Sequence, residues 1–521
     1  MPSPRRQPRL TPGAIAAELF CLYPDRDERA PQLCAETLLT LAANGYQSPV
    51  NGKPLVTPKQ QRFAIRSLAT SENFLGGRDE GRAGDDDTTP AEYGACLAGG
   101  DEIRSSAHLR LAQQTLQGLI DPDTQRGNQP GAWLLRPFHE ALLWYDARKA
   151  GSHSPVYGVR KVHMRGSGIT LARLITSPAD PDAAQLGRSA LSEIRQVLTA
   201  DTPLAAVSRH LESALPPDAP YVRPPELEAD EQEAWDRGAD PRLAGLATRL
   251  CRHAEGIMRQ EGASGPAKLW QLRCILALDF AVHLARTAWE TTEAPAGERY
   301  LLLSFSAAPR AEDPVRQRSE DSYRLARIRI ADAVVHTLAR TMKKLADGEQ
   351  PVDWSSEFLF RRGAQSDDDE ASITKQLKKL PPGAGDDDYE RIARAAISTA
   401  DYGRGSDDGF RVLLESAGAL VGTGSYRYLT AGPDLLAALV GSFSADMPMP
   451  SRDFFAAVRS EWDLVLNQES AAETALADLL DGAALERNAR RAEKLMSDAG
   501  LALGLSDRTT VVGERTARRS R

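Results

Sequence analysis

Apolar residues recur along most of this chain at the three-and-four spacing of helices. The longest such stretch, PAKLWQLRCILALDFAVHLARTAWETT at 266–292, is apolar around most of its circumference. Pro266 suits a first helical position and no glycine or proline interrupts the run, which predicts one helix of roughly 40 Å, long enough to cross a bilayer. Arg273, Asp279, His283 and Arg286 lie inside it, so the prediction is a buried core helix of a soluble protein. Thr11 and Pro12 supply an N-cap and a first-turn proline for AIAAELFCLY. Pro31 opens QLCAETLLTLAANG, ended by Gly45, and Thr57 and Pro58 begin TPKQQRFAIRSLAT. Further helices are predicted over 102–120, 137–148, 182–200, 203–215 and 321–346, and then in GFRVLLESAGALVG, PDLLAALVGSF and PSRDFFAAVRSEWDLVL.

Period-2 patterning is rarer. VYGVRKVHMR and ITLARLIT flank Gly166, Ser167 and Gly168, and their valine, isoleucine and threonine content predicts a β-hairpin near 156–176. Alternation places Lys161, His163 and Arg165 on one face of its first strand, with Val162 and Met164 on the other. With Arg160 beside them and Arg173 on the second strand, these basic groups around a glycine turn are suited to a phosphate or a nucleic-acid backbone. A basic face also protects an edge strand without any ligand. Short strands are predicted at 300–305 and at YRYLT.

The fold class is therefore mainly α and multidomain, with that one basic hairpin. Polar and proline-rich stretches divide it into an N-terminal helical domain at 1–150, the hairpin with its helices at 151–215, and an acidic proline-rich linker at 216–241. A central helical core at 242–349, a mobile acidic connection at 350–406 and a C-terminal part at 407–521 complete it.

Among 521 residues, 41% are hydrophobic and 26% charged, which is ordinary for a folded protein. The net charge of -8 argues against a surface that coats nucleic acid throughout, so any such contact must be regional. Five widely separated cysteines, none in a CxxC pair, point away from disulfides and zinc and toward a reducing, cytoplasmic compartment. The basic N-terminus lacks an apolar segment after it and is not read as a secretory signal, and no membrane partner is expected.

No catalytic motif stands out. Leu143 sits where the second histidine of a zinc-binding HExxH helix would follow His139 and Glu140, and GxxxxGK[ST] and GxSxG are absent, so no metal and no cofactor are expected. Asp279, His283, Arg286 and Glu290 recur at i, i+4, i+7 and i+11 and form a polar stripe. It is either an acid–base centre in which Asp279 orients His283, or a self-paired structural stripe. Basic side chains concentrate again in 316–344, where Arg324 and Arg327 belong to a dense set that suggests an acidic partner or arginines covering a bundle.

The C-terminal order of helix, YRYLT strand, PDLLAALVGSF helix and PSRDFFAAVRSEWDLVL helix, over roughly residues 407–470, resembles a winged-helix module. That resemblance implies duplex-DNA contact through Arg452 and Arg459, although Asp453, Glu461 and Asp463 on the same helix favour a protein-interaction role. The whole arrangement is similar to accessory subunits of bacterial genome-defence operons. The expectation is a non-catalytic, nucleic-acid-associated subunit of a cytoplasmic bacterial complex in anti-phage defence, with the backbone of DNA or RNA and other protein subunits as partners. The alternatives are a protein-interaction scaffold without nucleic acid, and an enzyme centred on Asp279 and His283.

Overall fold

The computed structural model of this protein describes residues 10–49, 111–124, 133–149, 157–206, 221–357, 364–443 and 448–513, less short stretches within those ranges that include 160–163 and 165. The fold is mainly helical. Among the described residues its longer helices are α1 (Pro12–Phe20), α2 (Ala30–Ala43), α3 (Ser167–Thr176), α4 (Pro181–Leu198), α5 (Glu226–Arg237), α6 (Ala244–Met258) and α7 (Gly265–Thr291). The second half adds α8 (Pro314–Ala346), α9 (Ala364–Lys378), α10 (Asp386–Ile397), α11 (Ser406–Ala417), α12 (Pro433–Phe443), α13 (Ser451–Trp462) and α14 (Gly482–Asp498). None of the described helices is long and apolar enough to cross a membrane.

Local signals start most of them as the sequence predicts. The Thr11 hydroxyl accepts the Ala14 N–H at the head of α1, and the Asp180 and Asp313 carboxylates cap α4 and α8, each followed by a proline. Residues 271–285 of α7 are buried without a break, as an apolar helix with no solvent face must be.

The chain forms two compact units, and the division falls inside α7, between Leu276 and Ala277. In one, residues 29–276 with 441–446 and 516–521, α3 packs on α2, α5 and α6, while α4 packs on α6. Three short strands join them: β1 (Ala147–Lys149) pairs antiparallel with β2 (Tyr157–Val159), and β3 (Tyr221–Val222) lies parallel to β2. In the other, residues 1–28, 277–440 and 447–515, the long helix α8 is the hub. Its Leu338 and Met342 enclose an apolar cluster with Ile15 of α1, Ile373 of α9 and Ile392 of α10, each such side chain contributing about 1.5–3 kcal/mol by leaving water.

Short strands surround that hub. β4 (Leu301–Leu302) runs parallel to β8 (Leu464–Val465), and β5 (Leu420–Val421) pairs with β6 (Tyr428–Leu429). β7 (Met449–Pro450), β10 (Thr509–Val512) and β9 (Ala502–Ser506) form a sheet in that order. Ser319 of α8 locks the first group, accepting the Leu429 N–H at 2.8 Å while donating to the Leu429 carbonyl.

Several expectations are corrected. The predicted hairpin near 156–176 does not form: its first strand is β2, which takes β1 as antiparallel partner, and ITLARLIT is helix α3. Its β-branched residues favour a strand only locally, while packing on α2 and a cap from afar impose the helix. The described residues of 137–148 hold a 3-10 turn, Glu140–Leu142, with the His139 imidazole accepting the Ala141 N–H, and the start of β1. The expected linker at 216–241 contains α5, whose Ala234 and Trp235 are buried. The expected mobile connection at 350–406 contains α9 and α10, held by the apolar cluster. The helix predicted at Thr57 lies outside the described residues.

Candidate interaction surface

At the glycine turn expected to meet a phosphate, the backbone N–H groups are taken by a carboxyl group of this chain. Glu36 of α2, fully buried, accepts the Gly166 N–H with both oxygens at 3.1 Å and the Gly168 N–H at 2.9 Å, and so satisfies the first turn of α3. Gly168 permits this approach, because a β-carbon there would stand 2.7 Å from that of Glu36 and 2.8 Å from the Leu33 carbonyl. Arg160, Lys161, His163 and Arg165 lie outside the described residues. Arg173 sits on α3 with its guanidinium 5.3 Å from the ring centre of Trp235 and its aliphatic stem against Gly238.

The other predicted phosphate contacts are each held by carboxylates. Arg324 reaches Asp321 at 2.5 Å, and Arg327 bonds Asp407 with Asp408 at 3.5 Å. Arg452 makes a two-pronged pair with Glu469, and Arg459 meets Asp463 at 3.1 Å and the Arg299 carbonyl at 3.3 Å. The same pattern runs along α8, where Arg318 pairs with Asp321, Arg329 with Glu298 and Lys343 with Asp386, while Arg310 just before it pairs with Glu320. Among the described residues Arg340 and Lys344 of this helix have no carboxylate partner.

Some of the acidic partners come from aspartate runs at the starts of helices. Asp386, Asp387 and Asp388 form the first turn of α10, and Asp407 and Asp408 that of α11. Acids at a helix start are favoured by the macrodipole, so DDDYERIARAAI carried a helix signal the charge run obscured.

The polar stripe of α7 is similarly engaged. Asp279 accepts the Trp462 indole N–H at 2.7 Å, and Arg286 binds Asp463 at 2.6 Å. His283 Nε2 is 2.8 Å from the Phe20 carbonyl, which only accepts, so that nitrogen carries the proton and donates. Farther back on the helix, Arg273 pairs with Asp121 at 2.5 Å and with Asp123, its guanidinium 4.1 Å from the ring centre of Trp270. Burial pushes the Cys34 and Cys251 thiols up to about 12, which leaves both as packing groups and not nucleophiles.

Where basic groups are unengaged, they accompany exposed apolar ones. Arg487, Arg490, Arg491, Lys494 and Leu495 recur at i, i+3, i+4, i+7 and i+8 on the outer side of α14, and all are exposed. Arg487 and Arg490 have no carboxylate partner among the described residues, while Arg491 reaches Asp313 at 3.8 Å and Lys494 holds Asp498 at 3.0 Å. The chain leaves α14 through Gly500, at φ +75°, and Leu501 donates its N–H to Met496 at 2.7 Å, which brings β9 against the helix. Among the described residues β9 ends its sheet and pairs only with β10, and its Leu503 and Leu505 are exposed at 39% and 54%. The strand beside this helix has no local sign in the sequence, since ALGLS lacks β-branched residues.

Comparison with protein-family models, with curated proteins and with solved structures finds no match.

Proposed function

We propose that this chain is a protein-interaction scaffold, a helical subunit that docks other proteins. The observation carrying that reading is the internal use of arginine: Arg324, Arg327, Arg452 and Arg459 each hold a carboxylate of this chain, which offsets part of the charge a phosphate would meet. A winged-helix use of residues 407–521 would require Arg452 and Arg459 to abandon Glu469 and Asp463 on binding DNA. The nucleic-acid reading rests instead on Arg160, Lys161, His163 and Arg165, and the link to bacterial genome defence rests on the sequence resemblance alone.

Titration of labelled duplex DNA and single-stranded RNA across a salt series tests the scaffold. Binding is expected to stay in the non-specific range, with Kd about 10⁻⁴–10⁻⁶ M at physiological salt, and Arg324→Glu is expected to leave it unchanged. Tight binding with a steep salt slope, lost on charge reversal of Lys161, Arg165 and Arg173, would establish the nucleic-acid subunit instead.

A further inference from the structure

We infer that the open edge of β9 and the basic outer side of α14 together form a docking site for an extended, acidic segment of a partner protein, which adds to the sheet as a strand. This rests on the scaffold reading and names its surface and partner class. Three observations converge on it.

First, among the described residues β9 has a partner strand on one edge only, so the other presents backbone donors and acceptors that a further strand satisfies. Natural edges are usually guarded by lysine, proline or an inward charge, whereas ALGLS at 502–506 has none of these. The register with β10 skips Leu505, a bulge confined to the turn end, and Ala502, Leu503 and Gly504 remain in regular pairing. Second, Leu503 and Leu505, with Leu495 of the adjoining α14, are exposed, a pattern suited to apolar side chains of a polypeptide and not to phosphates.

Third, charge selects the partner. α14 packs on β9, and its exposed Arg487 and Arg490 have no carboxylate partner among the described residues, so a segment docking on β9 is favoured when it carries glutamate or aspartate. A second copy of this chain is disfavoured by the same charge, because its own β9 would bring another basic α14 to the sheet.

The test uses the full chain and a fluorescein-labelled ten-residue peptide of alternating valine and glutamate, read by fluorescence anisotropy. The valine–lysine analogue and a labelled DNA duplex serve as competing probes. Saturable binding of the acidic peptide is expected, weakened roughly tenfold by Arg487→Glu with Arg490→Glu and similarly by Leu503→Glu with Leu505→Glu. All four side chains are exposed, so the unfolding midpoint should stay in place, and circular dichroism confirms that each variant is folded. Absent binding of the acidic peptide, equal binding of the lysine analogue, or variants that bind as wild type would overturn the site. If DNA is also not bound, the scaffold reading survives that loss; if the duplex binds and the α14 variants abolish it, both readings go.

Discussion

Replacing Arg273 with methionine is expected to destabilise the protein by about 3–5 kcal/mol, one of the two largest effects of a single substitution here. Arg273 is 2% exposed, and its removal strands the equally buried Asp121, which keeps the Asp123 N–H at 3.0 Å but loses its guanidinium. Methionine refills the apolar volume against Trp270, so the loss reports the orphaned charge and not a cavity. The pH dependence has a definite sign. Burial already raises Asp121 above the ordinary carboxylate range and Arg273 offsets part of that, so the variant's Asp121 titrates higher still. The folded variant then takes up a proton at a pH where its unfolded chain has released it, and its deficit narrows on acidification from pH 8 toward about pH 5. Urea unfolding at both pH values measures this, with Asp121→Asn in the Arg273→Met background expected to restore part of the loss. A deficit that widens in acid would mean that Asp121 is not the orphaned group.

Asn488→Ala is expected to cost about 3–5 kcal/mol, because one side chain serves three buried backbone groups. From α14 its Oδ1 accepts the Phe305 N–H at 2.9 Å, while its Nδ2 donates to the Leu303 carbonyl at 2.8 Å and the Leu466 carbonyl at 3.0 Å. These are the chain ends leaving β4 and β8, so the amide stitches that parallel pair to the helix where neither strand is long enough to hold itself. Asn488→Asp separates the donor role from volume: the acceptor survives, but a carboxylate faces two carbonyls, and the loss should equal or exceed that of alanine. If Asn488→Asp were as stable as wild type, the two carbonyl contacts would contribute nothing.

Much of the helical framework was legible because its signals are local. The Thr11 cap, the prolines after Asp180 and Asp313, and the unbroken apolar run of α7 act within a few residues of the elements they define. What was not legible depends on distant partners. ITLARLIT becomes helical through Glu36, 130 and 132 residues away from the groups it caps. Sequence shows that Arg327 and Arg329 are basic, but not that Asp407 and Glu298, 80 and 31 residues off, will neutralise them. Local density of arginine therefore suggested a polyanion surface where the fold builds internal ion pairs. On α14 the same density meets fewer acids and stays available.

The central claim, that these arginines serve the fold, is tested most directly by a double-mutant cycle on Arg327 and Asp407, from urea unfolding of the wild type, Arg327→Ala, Asp407→Ala and the double variant. Internal use predicts a coupling energy of about 1–2 kcal/mol for this half-buried pair, with duplex-DNA affinity the same in all four proteins. A coupling of zero, with DNA binding weakened whenever Arg327 is removed, would contradict it.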